Sequence, residues 1–353
     1  MTGKIHHRVA GFTIRQKLAL IPAIFQFFCA VLKGLVNGMF RGKSGATTYR
    51  QHVIGTVLTS TFSSLQLQYL NETFDQVYLK FCKDRKLRPE FVTTASGLTG
   101  FWIGQKTAKY IIINFHGGGF AMDGTAQHLK FWSDIQQQLS NVGISTAWFY
   151  PTYTLTPHAS YPTQISQAVE ALRYVLEDLG RQPQEVVLAG DSAGGNLCVA
   201  ILSHLMHPLE SVPKLKAQTP LKGMILMSPW ISFDITWPSM TRNLHKDIDS
   251  LDTLREWSSD YVNGRASDNY LEPILAPRDW WMSAPVNRTL VVAGENEVFL
   301  DPITEWAARN ETTFVVANDE CHIAPLIQPI FGDFRETHQG QAIRDWLIEE
   351  LRE

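Results

Sequence analysis

The sequence predicts an α/β fold, a mainly parallel twisted sheet with helices on both faces. Three observations carry this. Short continuous apolar runs recur along the chain, as expected of strands buried on both faces. Amphipathic helical stretches separate several of them. Glycine-rich corners stand where apolar runs end, and ligands in such sheets bind at the carboxyl ends of strands.

The strand-rich pattern starts near residue 75. "DQVYLKF" (75–81) alternates in part and reads as the first candidate strand, and "GLTGFWIG" (97–104) as the next. The buried runs follow: Lys109–Phe115, Ile144–Tyr150, Glu185–Gly190, Lys222–Ser228, Thr289–Gly294 and Thr312–Ala317. Between them, Ile165, Val169, Leu172, Leu176 and Leu179 recur at helical steps. Pro162 stands at the start of that stretch and Gly180 just past its end. Ile343, Trp346, Leu347 and Leu351 form a C-terminal stripe.

Two regions break the alternation. Residues 1–75 precede the sheet. Residues 231–285 separate two strands, hold Trp237, Trp257, Leu271, Trp280 and Trp281, and read as a lid. The expected layout is an N-terminal hydrophobic helix and cap segment (1–75), a first core part (76–230), a cap insertion (231–285) and a second core part (286–353). Within the N-terminal segment, Leu18–Leu32 is apolar except for Gln26 and Pro22. Lys4, Arg8, Arg15 and Lys17 precede it; Lys33, Arg41 and Lys43 follow. A helix of about 15 residues spans about 22 Å, short of a hydrocarbon core. Residues 18–36 therefore read as a cap helix over the substrate or a membrane-surface contact, ahead of a membrane anchor or a cleaved signal.

The chain has 353 residues, 44% hydrophobic and 18% charged, with a formal net charge of −3. This suits a folded core and argues against nucleic acid as a partner. Cys29, Cys82, Cys198 and Cys321 form no CxxC pair, so reduced thiols are expected rather than a zinc site or disulfide framework. Three N-x-[ST] triplets, at Asn71, Asn287 and Asn310, weigh little alone. An intracellular location is expected, cytoplasmic or at an internal membrane; oligomeric state is left open.

The chemistry gathers at three corners. Gly190-Asp191-Ser192-Ala193-Gly194 matches G-x-S-x-G between a buried run and a helical pattern. Small neighbours let Ser192 take a strained turn that lifts its hydroxyl above the sheet. The same turn puts the Ala193 amide at a helix N-terminus. His116-Gly117-Gly118-Gly119-Phe120 follows another buried run, where glycines let bare N–H groups approach a ligand. A serine of ordinary pKa needs a base. Of the eleven histidines, His6 and His7 lie in the tail, and His128, His204, His207 and His245 read as structural or surface residues. His322 follows the last predicted strand, where this order of elements places a base. After the preceding strand come Glu295, Glu297 and Asp301 as candidate acids.

Together, "HGGGF", "GDSAGGN", "YTLTPHASYPTQ" (Tyr153–Gln164) and "SPWISF" (Ser228–Phe233) resemble the hormone-sensitive-lipase-like branch of the α/β-hydrolases. The likeness covers roughly residues 75–353 and is nearest to fungal steryl-acetyl-hydrolase-like esterases. The resemblance implies the α/β-hydrolase fold and cofactor-free, metal-free hydrolysis of a carboxylic ester. Oxyanion donors would be the amides of Gly118, Gly119 and Ala193, with His116 holding the glycine loop. The sequence departs from the family in two places. Thr154 stands where the family often has arginine. The usual D-P-x-x-D acid motif, aligned on Asp301, puts Glu297 at the acid position; Glu297 is favoured over Asp301, and glutamate serves the same chemistry.

The expected mechanism is a Ser192–Glu297–His322 triad acting through an acyl-enzyme on a small hydrophobic ester, with Phe120 and Trp230 as candidate pocket walls. Competing readings are an acyltransferase, a lyase or cyclase using the same serine and histidine, and a non-catalytic ligand-binding module.

Overall fold

A computed structural model describes residues 14–42, 45–46, 48–64, 72–330 and 332–352. His6, His7, Lys43 and Asn71 lie outside the described residues. An N-terminal hairpin of α1 (Ile14–Met39) and α2 (Tyr49–Ser64) comes first. Then follow α3 (Phe74–Arg85), β1 (Glu90–Thr93), β2 (Thr99–Ile103), β3 (Tyr110–Phe115), α4 (Ala126–Asn141) and β4 (Thr146–Thr152). The middle of the chain forms α5 (Thr163–Arg173), β5 (Val186–Asp191), α6 (Ala193–Met206), β6 (Gly223–Met227), α7 (Pro238–Arg242) and α8 (Leu251–Val262). It closes with β7 (Thr289–Gly294), α9 (Leu300–Arg309), β8 (Thr313–Ala317), α10 (Ala324–Ile327) and α11 (His338–Leu351).

Among the described residues the strands form one sheet ordered β1-β2-β4-β3-β5-β6-β7-β8. It is parallel from β4 onward and antiparallel at β1/β2 and β2/β4. Alternate side chains of each buried strand enter opposite layers. Ile111, Ile113 and Leu188 pack with α5 and α6; Ile112, Val187 and Ala189 pack with α3, α4 and α11. The continuous apolar runs are thus strands covered on both faces, the α/β-hydrolase architecture.

One expected strand is a helix. Residues 75–81 lie in α3, where Phe74, Val77, Tyr78, Phe81 and Cys82 are buried at steps of three and one. That spacing fits 3.6 residues per turn, and Thr73 with Gln76 closes a capping box at the start. Leu79, which completes the alternation, is exposed, whereas Tyr78 is buried: its hydroxyl donates to the Trp102 carbonyl at 2.7 Å and accepts from the Glu90 amide at 2.8 Å, pinning α3 to the sheet edge. The other expected runs are β2 to β8, and β1 is an additional edge strand.

Candidate active site

Ser192 sits at the turn from β5 to α6 with φ 51° and ψ −120°. A non-glycine residue there costs on the order of 1–3 kcal/mol, so the surroundings must impose it. They do. The Ser192 amide donates to the Met227 carbonyl at 3.0 Å, and its own carbonyl accepts from Trp230 at 3.0 Å and Asn196 at 3.1 Å. A Cβ on Gly190 would strike the Gly194 carbonyl, and one on Gly194 would strike the Phe115 carbonyl. Both glycines are fixed by close backbone approach.

The glycine loop is tied to the same turn. The Gly117 amide donates to Asp191 Oδ2 at 2.9 Å, and His128 Nε2 lies 3.3 Å from that oxygen. His116 packs under the loop, with its Nδ1 2.7 Å from the Gly117 carbonyl and its ring stacked on Tyr153 at 4.6 Å. Burial, and less so the neighbouring His128, pushes the His116 pKa down against the pull of Asp123. Gly118 and Gly119 have φ of 102° and 60°. Among the described residues, the amides of Gly118, Gly119 and Ala193 donate no hydrogen bond. Trp257 of α8 lies directly against Gly119, where a Cβ would meet its ring. Phe120 and Trp230 are fully buried; Phe120 stacks on Tyr261 at 3.6 Å and lies 6.1 Å from Trp230.

Glu297 and His322 follow β7 and β8 on the same edge of the sheet. Glu297 is fully buried. Its Oε2 accepts from Ser228 Oγ at 2.5 Å and from the Gly294 amide at 3.1 Å, and lies 3.8 Å from His322 Nδ1. Ser228 also accepts from the Ile323 amide at 3.2 Å, so one hydroxyl joins the acid's loop to the histidine's. Phe299 packs edge-on to the His322 ring at 5.0 Å. Asp301 is elsewhere. It pairs with Arg242 at 2.6 Å and accepts from the Ser239 amide at 2.8 Å. Glu295 accepts from Asp319 at 3.1 Å on the exterior.

Thr154, at the position of the family's arginine, is held by neutral bonds: its amide donates to Gln167 Oε1 at 2.7 Å and its hydroxyl accepts from Gln167 Nε2 at 2.9 Å.

Two carboxylates were not foreseen. Asp247 accepts from the His322 amide at 2.9 Å and the Val298 amide at 2.7 Å, clamping both loops. Asp249 Oδ2 lies 3.8 Å from His322 Nε2 and has no hydrogen-bond partner among the described residues. The signal was present as Asp-Ile-Asp in "HKDIDS", with aspartates two apart around the buried Ile248. Burial pushes the His322 pKa down. The charges of Asp249 first, then Glu297 and Asp247, outweigh it and hold the imidazole up at about 9. Burial, then the Asp249 charge, raises Asp247 to about 7; burial also raises Asp249. Among the described residues no cluster of His, Cys, Asp and Glu is arranged to hold a metal ion.

Residues 112–324 match the family model described as alpha/beta hydrolase fold. An esterase of Acinetobacter venetianus is 25% identical over 260 residues, covering 72% of this chain and 79% of the relative. The carboxylesterase NlhH of Mycobacterium tuberculosis is 31% identical over 172 residues, covering 47% of this chain and 50% of the relative. The crystal structure of an esterase from the bacterial hormone-sensitive lipase family superposes with TM-score 0.61 at 21% identity, covering 92% of this chain and 97% of that one, and shares the fold. With this match over most of the core, the chain belongs to the alpha/beta-hydrolase-fold family and is a carboxylic ester hydrolase.

Proposed function

We propose that the enzyme cleaves esters of small hydrophobic molecules through Ser192, His322 and Glu297. The observation that carries the reading is the arrangement at the sheet edge. A strained Ser192 packs against the glycine loop at Gly117, and a buried His322 lies 3.8 Å from a carboxylate fixed by two donors. His322 takes the Ser192 proton as the oxygen adds to the ester carbonyl. The amides of Gly118, Gly119 and Ala193 bind the oxyanion, a contribution of about 2.7–4 kcal/mol per donor in comparable sites. The tetrahedral intermediate collapses, and the proton passes from His322 to the leaving alcohol. Water, deprotonated by His322, then releases the acid and restores Ser192. Glu297 orients the imidazole and stabilises its charged form.

The 231–285 insertion acts as the cap. Its Trp257, Tyr261 and Phe233 lie against the glycine loop, Phe120 and Trp230, and this aromatic surround favours an apolar acyl or alcohol part. A sterol-acetate-like ester is one such substrate. The test is p-nitrophenyl esters of increasing acyl length, with free acid measured beside p-nitrophenol. Release of both, absent in Ser192→Ala, is expected. Release equal in the two proteins would end the proposal.

The raised pKa of His322 sets a pH dependence. A general base works when neutral, so kcat/KM climbs as pH rises through about 9. Asp249 is the largest cause of that elevation. In Asp249→Asn the midpoint moves to lower pH, and the enzyme gains activity near neutrality relative to its own plateau. The linkage has the opposite sign for stability. The charged imidazole contributes stability that is complete below about 6.5 and is lost as pH rises through about 9. A pH–kcat/KM profile checks the kinetic half; an unmoved midpoint in Asp249→Asn would remove Asp249 from the account.

A further inference from the structure

We propose that the α1–α2 hairpin docks the enzyme onto an anionic lipid surface, with α1 lying in the plane of the membrane. The proposal does not depend on the ester chemistry above, because its test reads binding.

Three observations point there. First, α1 is two-faced. Ala30, Gly34 and Gly38 form its buried side, where a Cβ on Gly34 would press on Val53 and one on Gly38 on the Tyr49 ring of α2. On the opposite side Phe25, Phe28, Leu32, Leu35, Val36 and Met39 recur at helical spacing and are exposed, Phe25 by 70%, Leu32 by 65% and Met39 by 66%. Second, the charge is lopsided. Residues 1–71 contain eight Lys and Arg and no Asp or Glu, whereas the remaining chain carries 23 basic and 34 acidic residues. A strongly basic segment carrying an aromatic and aliphatic stripe fits an anionic lipid surface. The same excess of positive charge on both partners opposes pairing of this face with a second copy. Third, no helix among the described residues is long and apolar enough to cross a membrane.

The hairpin is joined to the body beside the active site. Thr59 of α2 donates to the Ile248 carbonyl at 3.2 Å, between Asp247 and Asp249. A cavity of about 690 Å³ separates hairpin and insertion, lined by Lys33 and Asn37 of α1, Phe40 just past it, His52 and Thr56 of α2, and Asp247. Docking through α1 therefore holds the insertion behind the hairpin, close to the lipid in which hydrophobic esters dissolve.

The full chain is sedimented with vesicles of phosphatidylcholine alone or with about 30 mol % phosphatidylserine. The expected result is at least ~10-fold stronger binding to the anionic vesicles, weakened by salt. Phe28→Glu/Leu32→Glu should lose that binding by ~10-fold or more, while Phe91→Glu, at an exposed ring on the edge strand β1, keeps it. Hydrolysis of a soluble short-chain ester should be the same in all three, showing that the double variant folds. Three results would overturn the proposal: absence of vesicle binding; equal binding to both vesicles that resists alkaline carbonate, which marks a spanning anchor; or a dimer that the double variant dissociates, which puts a second copy on the face.

Discussion

Ser192→Ala lowers kcat/KM for a p-nitrophenyl ester by roughly 10⁴- to 10⁶-fold, and His322→Ala by a similar factor. The two act as one unit, so the double variant falls little further than either single one. The size follows from chemistry: without Ser192 there is no atom to carry the acyl group, and without His322 the hydroxyl stays protonated. Fold should survive in Ser192→Ala, since the turn is held by backbone bonds from Met227, Trp230 and Asn196 rather than by the hydroxyl. Residual activity from the loop amides remains. Steady-state kinetics with a thermal melt for each variant measures this. A Ser192→Ala enzyme within tenfold of wild type would mean that another group attacks the ester.

The second large effect separates two acids that the sequence offers within five residues. Glu297→Gln should cost about 10²- to 10⁴-fold in kcat/KM, because the imidazole loses the charge that orients and stabilises it. Gln keeps the shape and lets Ser228 and the Gly294 amide retain an oxygen acceptor, so the loss is read on a folded protein. Asp301→Ala should stay within a few-fold. Its carboxylate serves a partly exposed pair with Arg242 and the first turn of α7, worth about 1 kcal/mol of stability or less. Kinetics of both variants beside their melting temperatures decide the matter. A larger activity loss at Asp301 would transfer the acid's role and break the geometric reading.

What the sequence made legible was what local chemistry dictates. A buried strand needs a continuous apolar run whichever fold it joins, so β2 to β8 could be read directly. The Ser192 corner and the glycine loop were legible because only small residues survive such close backbone approach. His322 was expected from its place after β8, whereas the place after β7 offered three carboxylates and Glu297 was favoured among them through the family resemblance alone. The misses have a different cause. Residues 75–81 contain apolar residues at both helical and alternating spacings, and only packing against β2 and α4 selects the helix. Asp247 and Asp249 come from the insertion, and nothing local shows that a loop some 75 residues before His322 folds back to hold its amide and face its ring. The hairpin's exposed face was visible as an apolar run, but which side α2 covers is a property of the packed pair.

The most direct test of the central claim is covalent. A fluorophosphonate reacts with a serine oxygen activated by a nearby base, and mass spectrometry of the digested protein locates the adduct. The account predicts one adduct per chain, on the peptide carrying Ser192. It is formed fastest above the His322 pKa of about 9 and absent in Ser192→Ala. Stoichiometric labelling on any other residue, or undiminished labelling in His322→Ala, would contradict it.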